Sequence, residues 1–150
     1  MKIVRARPED AAELSSLAHQ AKGSWGYPDS WLCRWSDRLT VTPGYVGSTP
    51  TYAAVRDGRM TGFVALILRD KEAYVDHLWV LPSEMGRGTG RLLFEFAENL
   101  ARAAGAVRLK VESDPHAEGF YAHMGAIRYG QVPAAMDGIE RFLPLLEKTL

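Results

Sequence analysis

The sequence predicts an α/β (α+β) fold: a mixed, mostly antiparallel central sheet of about seven strands with about four helices. Three observations predict it. Thr51 to Leu81 holds three strand-like runs in succession, parted only by turn residues. Arg91 to Ala104 then carries apolar residues at helical spacing. The rest of the chain alternates strand, helix and two strands, as a layered sheet with helices on its faces requires.

In order, Lys2 to Ala6 is a short strand, and Pro8 with Glu9 and Asp10 opens a helix with proline at its start and acids in its first turn. Leu14, Leu17, Ala18 and Ala21 share one face of that helix, and Gly23 ends it. A Gly/Pro-punctuated loop follows, then a second helix from Asp29 to Leu39. Trp25, Tyr27, Trp31 and Trp35 fall within these two segments. Trp31 and Trp35, four apart on a helix, read as core packing; Trp25 and Tyr27, in the loop, read as lining for a bound molecule as readily as packing. Thr40 to Pro50 reads as a loop. Strands follow at Thr51–Arg56 and Met60–Leu68 around an Asp57-Gly58 hairpin turn, and the third runs from Glu72 to Leu81 after a turn at Arg69–Lys71.

The long helix from Arg91 is expected to bury Leu92, Leu93, Phe96, Ala97, Leu100 and Ala104, with Gly105 as its stop. Ala106 to Glu112 alternates Val107, Leu109 and Val111 with charged residues, so one face is expected to be buried. Asp114 caps a helix opened by Pro115 and closed by Gly125. Two last strands, Arg128–Val132 and Ile139–Leu146, flank Asp137-Gly138, and Pro144 marks the final one as an edge or a bulged strand.

A chain of 150 residues, 47% hydrophobic and 24% charged, is expected to form one soluble domain over residues 1–150. Its 18 basic and 18 acidic residues cancel, without a sustained basic run, which argues against nucleic-acid or membrane-surface partners. A lone cysteine, Cys33, forms no internal disulfide and fits a reducing cytoplasm. Cys33 reads as a small core residue. His19, His77, His116 and His123 lack zinc-site spacing, so no metal is expected. There is neither an apolar signal core nor a run long enough to span a bilayer.

Chemistry concentrates at His77 to Phe96. An apolar strand stops at Pro82, a turn holds Gly86, Gly88 and Gly90, and a helix begins at once. Glycines let backbone approach a ligand, and the free amides and dipole of a helix start favour an anion. A P-loop requires Gly-Lys-Ser/Thr at its end, whereas Gly90 is followed by Arg91 and Leu92. A dinucleotide loop requires G-x-G-x-x-G, and Arg91 stands where its third glycine belongs.

Val80-Leu-Pro82 followed by Met85-Gly-Arg-Gly88-Thr-Gly90 resembles the pyrophosphate loop of the GNAT superfamily of N-acetyltransferases, with Met85 where that family usually carries Gln or Arg. Asp114-Pro-His-Ala-Glu-Gly-Phe-Tyr121 resembles its second signature: Ala117, Phe120, Tyr121 and Gly125 match, and Asp114 replaces the usual Asn. The resemblance implies acetyl-CoA as co-substrate, held by Leu78, Trp79, Val80, Met85, Gly86, Arg87, Gly88, Thr89, Gly90 and Arg91, with Asp114, Ala117, Phe120 and Tyr121 at the pantetheine arm. It also implies direct attack by an amine of a small molecule, amino acid or peptide N-terminus, with Tyr121 as the acid that protonates the leaving thiolate. A homodimer is left open.

A base for the amine is sought on the Glu72 to Leu81 strand, where Glu72, Tyr74, Asp76, Leu78 and Val80 share a face. Tyr74 stands where some family members carry Glu, so Asp76 and Glu72 are the candidates, beside Glu112 or a water. Solvated strand charges are the plainer reading of both. His77 faces the other side unless the strand bulges; with Trp25 and Tyr27 it is a candidate for contact with the acceptor. Two readings follow: an N-acetyltransferase, or a non-catalytic acyl-CoA-binding sensor that keeps the phosphate loop without chemistry.

Overall fold

The computed structural model describes all 150 residues. Its strands are β1 (Lys2–Arg5), β2 (Thr51–Arg56), β3 (Arg59–Arg69), β4 (Glu72–Val80), β5 (Arg108–Glu112), β6 (Ile127–Pro133) and β7 (Phe142–Thr149). They form one sheet in the order β1-β2-β3-β4-β5-β7-β6. β1 with β2, β2 with β3, β5 with β7 and β6 with β7 are antiparallel, and β4 with β5 is parallel. The expected seven-stranded, mostly antiparallel α/β fold is therefore present. Asp57-Gly58 and Asp137-Gly138 both take positive φ at two successive residues, the geometry that lets a two-residue turn follow the twist of paired strands.

The helices number six, not four: α1 (Ala11–Gly23), α2 (Asp29–Arg34), α3 (Ser36–Leu39), α4 (Pro43–Ser48), α5 (Thr89–Ala103) and α6 (Glu118–His123). The expected helix from Asp29 to Leu39 divides at Trp35 into α2 and α3. Part of the expected loop from Thr40 to Pro50 is helical: Thr42 Oγ1 accepts from the Tyr45 amide at 3.0 Å and Pro43 occupies the first position. A threonine cap followed by proline is a helix start, and composition hid it.

The chain forms two compact units, Met1–Leu66 with Asp76–Phe96, and Ile67–Val75 with Ala97–Leu150. In the first, Leu14, Leu17, Val46, Ala53, Phe63 and Leu81 belong to one buried apolar cluster, with Tyr45 and Trp79 packed against it. In the second, Leu109, Val111 and Leu146 are buried.

Several burial expectations need correction. The buried stripe of α5 is Leu93, Phe94, Ala97, Glu98 and Ala101; Ala104 lies exposed beyond the helix end. Glu98 joins that stripe because Lys148 Nζ meets its carboxylate at 2.9 Å and Arg102 Nη2 at 3.2 Å, so the charge is paired where it is buried. Val107 is exposed because β5 begins one residue later. Cys33, expected in the core, is exposed on α2. The last strand begins at Phe142 and lies between β5 and β6, so Pro144 is not on an edge. The Pro144 carbonyl accepts from the Ser113 amide at 2.9 Å, just past the end of β5, and the β6–β7 register shifts nearby, between Arg128 and Gly130.

Candidate active site

The glycine loop is fixed from both ends. After β4, the Leu81 amide bonds the Thr61 carbonyl at 2.8 Å, and a short turn over Pro82–Glu84 leads into the loop. Gly86 and Gly88 stand at φ 78° and 86°, a region closed to most side chains. Helix α5 then starts at Thr89, and its first closed bond runs from the Leu92 amide to the Gly88 carbonyl at 3.0 Å. The earlier amides have no partner along the helix and carry the positive end of its dipole. Gly62 lets this helix start lie against the sheet: a Cβ there would fall 2.7 Å from the Trp79 carbonyl oxygen, 2.9 Å from Leu93 Cδ1 and 3.2 Å from Thr89 Cγ2.

Charge steadies the loop. Glu84 is buried, and Arg87 Nη1 and Arg56 Nε approach its Oε2 at 3.2 and 3.5 Å. Arg87, expected at the cofactor, is thus also a partner of the loop's own carboxylate. Met85 is exposed, while Thr89 is fully buried at the helix start.

A second group of functional candidates gathers around β4 in the same unit. Tyr45 donates a hydrogen bond to Asp76 Oδ2, and His77 Nε2 lies 3.9 Å from that same oxygen. Trp79 Nε1–H donates to His77 Nδ1 at 3.0 Å. The imidazole packs against the rings of Phe63 and Tyr45, each 5.7 Å away between centroids. Burial pushes the His77 pKa down against the opposing pull of the Asp76 charge. Burial also raises the Tyr45 pKa, reinforced by the hydrogen bond and charge of Asp76.

The aromatic loop reaches this group through Trp25, whose ring lies 6.0 Å from that of Trp79. Tyr27 instead stacks on Trp31 at 6.0 Å and meets Trp35 edge-on at 4.8 Å. Lys22 Nζ lies 4.4 Å from the Trp35 ring centre, 5.2 Å from that of Tyr27 and 5.9 Å from that of Trp25. These distances give a cation–π set that ties the loop to the end of α1.

Glu72, Asp114, Ala117, Phe120 and Tyr121 belong to the other unit. Glu72 is committed to neighbours: Tyr74 Oη donates to it at 2.8 Å, Lys110 Nζ lies at 3.2 Å and Arg108 Nη1 at 3.6 Å. The Tyr74 hydrogen bond first, and Lys110 second, hold its carboxyl below the usual range. Asp114 caps as expected, its Oδ1 accepting from the His116 amide at 2.8 Å. A short turn over Pro115–Ala117 then leads into α6. Phe120 packs edge-on to Tyr121 at 5.2 Å. Tyr121 is buried, and that burial pushes its phenol pKa up, so the ring holds its proton at neutral pH.

Sequence reasoning missed Tyr45 and Gly62. Thr42-Pro43 was the available signal for the first, and a lone glycine inside a strand for the second. No three His, Cys, Asp or Glu side chains gather as a metal site would require, and no helix is long and apolar enough to cross a membrane.

Known structures share this fold. The chain is similar along its length to a GCN5-related N-acetyltransferase from Rhodopseudomonas palustris (24% identity, TM-score 0.83, 99% of this chain and 95% of that one). It is similar to the PaiA N-acetyltransferase of Thermoplasma acidophilum, solved with coenzyme A (16%, 0.76, 99% and 98%). The YncA putative acetyltransferase of Salmonella typhimurium, solved with acetyl-CoA, is a third (20%, 0.72, 99% and 93%). Residues 38–144 match the model of the acetyltransferase (GNAT) domain, a span that includes α4, the glycine loop, Asp114 and Tyr121; the chain belongs to the GNAT acetyltransferase family.

Proposed function

We propose that this protein is a single-domain, cytoplasmic, acetyl-CoA-dependent N-acetyltransferase that acts by direct attack of a primary amine on a small molecule, amino acid or peptide N-terminus. The observation that carries the reading is the loop with positive φ at Gly86 and Gly88, opening onto the unpaired amides of α5. Such a loop fits a pyrophosphate. The coenzyme A in the PaiA structure and the acetyl-CoA in that of YncA support the choice of co-substrate.

Acetyl-CoA supplies an activated thioester. Backbone amides of residues 86 to 91 hold its pyrophosphate, and the Asp114, Ala117 and Phe120 segment serves its pantetheine arm. Trp25 and Tyr27 border the acceptor. An amine is mostly protonated at neutral pH and must first release one proton to solvent to free its lone pair, and a group must take a second proton as the neutral amine attacks. Asp76 serves there in preference to Glu72, whose oxygens are occupied by Tyr74, Lys110 and Arg108. As the N–C bond forms and the C–S bond breaks, the nitrogen's proton passes to Asp76 and the sulfur takes one from Tyr121.

One observation favours a second reading, a non-catalytic acyl-CoA-binding domain: exposed Met85 offers no hydrogen-bond donor from its side chain at the loop. Thiol release from acetyl-CoA across a panel of primary amines and amino-terminal peptides decides between them. Turnover with any acceptor establishes the enzyme, whereas coenzyme A binding without turnover establishes the sensor.

A further inference from the structure

We propose that Tyr45 is a positioning residue that pins Asp76 Oδ2, beside an imidazole that Trp79 holds in one tautomer, so that Oδ1 faces the acceptor amine and receives its proton. This rests on the acetyl-transfer reading above. One hydrogen bond fixes the carboxylate, from the Tyr45 hydroxyl to Oδ2; His77 Nε2 lies 3.9 Å from the same oxygen, beyond hydrogen-bond reach. The Asp76 side chain is 43% exposed and that of His77 only 10%, so the carboxylate reaches solvent from a buried support.

Proton positions follow from donor chemistry. An indole N–H only donates, so the 3.0 Å contact from Trp79 requires a lone pair on His77 Nδ1. A neutral imidazole then carries its hydrogen on Nε2, the atom turned to Asp76. Burial favours that neutral form, and the Phe63 and Tyr45 rings pack against the imidazole. Burial likewise keeps Tyr45 protonated. Neither neighbour of Oδ2 is free to accept a proton, and Oδ1 is the oxygen left to do so. Tyr45 lies on α4, so the capped turn at Thr42-Pro43 sets the hydroxyl opposite the strand.

The test uses the full chain, acetyl-CoA and an amine from the panel that the wild type acetylates. Tyr45→Phe, Asp76→Asn and the double variant are compared in kcat and in acetyl-CoA Kd, and the His77 ring is observed by nitrogen-15 NMR in the wild type and in Trp79→Phe. Tyr45→Phe is expected to lower kcat roughly 10-fold, the scale of one lost hydrogen bond to a charged group, with Kd unchanged. In the Asp76→Asn background the same change is expected to cost nothing more, because Tyr45 acts through Asp76. The wild-type spectrum should show the Nε2–H tautomer, and Trp79→Phe should lose that preference.

Equal losses from Tyr45→Phe in both backgrounds, or an Nδ1–H tautomer in the wild type, overturn the positioning role. Full kcat in Asp76→Asn removes Asp76 from the reaction while acetyl transfer stands. An inactive Asp76→Asn supports its role and leaves the tautomer to decide that of its neighbours. No turnover of any amine by the wild type takes away the acetyl-transfer reading itself.

Discussion

Gly62 lies so close to Trp79 that a side chain of a single carbon would stand 2.7 Å from the Trp79 carbonyl oxygen. The contact is with backbone, which cannot swing aside as a flexible side chain does. Gly62→Ala is therefore expected to strain β3 against β4, and to press on the start of α5 through Leu93 and Thr89, at a cost of about 1–3 kcal/mol. Thermal unfolding checks it, and an unchanged Tm would show that the two strands have room to spare.

The loop itself makes a separable prediction. Gly88 has no neighbour where a Cβ would project, so the barrier to a side chain there is its φ of 86° together with the ligand's approach. Gly88→Val is expected to weaken acetyl-CoA binding by about tenfold or more, with most of the folded stability retained. Calorimetry on the variant tests it; wild-type affinity would move the phosphate site elsewhere.

Tyr121→Phe removes one hydroxyl and keeps the ring that packs against Phe120. Loss of a general acid is expected to reduce kcat on the order of 10²-fold while the acetyl-CoA Kd stays level. Unchanged kcat would take Tyr121 out of the chemistry. A weaker Kd with unchanged kcat would make its hydroxyl a binding contact.

The same residue predicts an alkaline weakness. Burial raises the Tyr121 pKa above its ordinary value of 10.0, so above about pH 10 the unfolded chain releases a proton that the folded chain retains. The unfolded state then binds fewer protons, and stability falls as pH rises, by roughly 1.4 kcal/mol per pH unit for each such group. Denaturant unfolding between pH 9 and 11, values spanning the ordinary tyrosine range of about 10, should therefore show a shallower decline in Tyr121→Phe than in the wild type. Parallel declines would mean the phenol ionises as readily folded as unfolded.

Trp25→Ala is expected to raise the acceptor KM several-fold more than the acetyl-CoA KM, since Trp25 leans on Trp79 at the Asp76 group. Equal effects on both constants with a large fall in Tm would assign Trp25 to packing alone.

The elements that the sequence displays well are those whose periodicity and boundaries agree. Thr51–Arg56, the Asp57-Gly58 turn and Asp114 as a cap were legible because alternation, turn chemistry and capping each point one way. The glycine loop was legible for a related reason, since few backbones need glycine at such spacing. What stayed hidden depended on partners distant in the chain. Glu98 reads as a surface charge until Lys148, fifty residues on, is seen to neutralise it. Ala104 fits the helical stripe by spacing, yet α5 stops at Ala103 and its buried side turns to include Phe94 and Ala101. Asp76 was visible as a strand carboxylate, but nothing near it in sequence announced Tyr45, thirty-one residues earlier on a helix rich in glycine.

All four tryptophans, at positions 25, 31, 35 and 79, fall in the unit of Met1–Leu66 with Asp76–Phe96. Each lies within about 6 Å, ring centre to ring centre, of another tryptophan. Intrinsic fluorescence excited in the indole band is therefore a local signal, centred on the segment from Trp25 to Trp35 and on β4, and far less sensitive to Ile67–Val75 and Ala97–Leu150. An unfolding curve recorded by emission alone chiefly follows the unit that holds the tryptophans. It coincides with one recorded by far-ultraviolet circular dichroism only if both units melt in a single cooperative step.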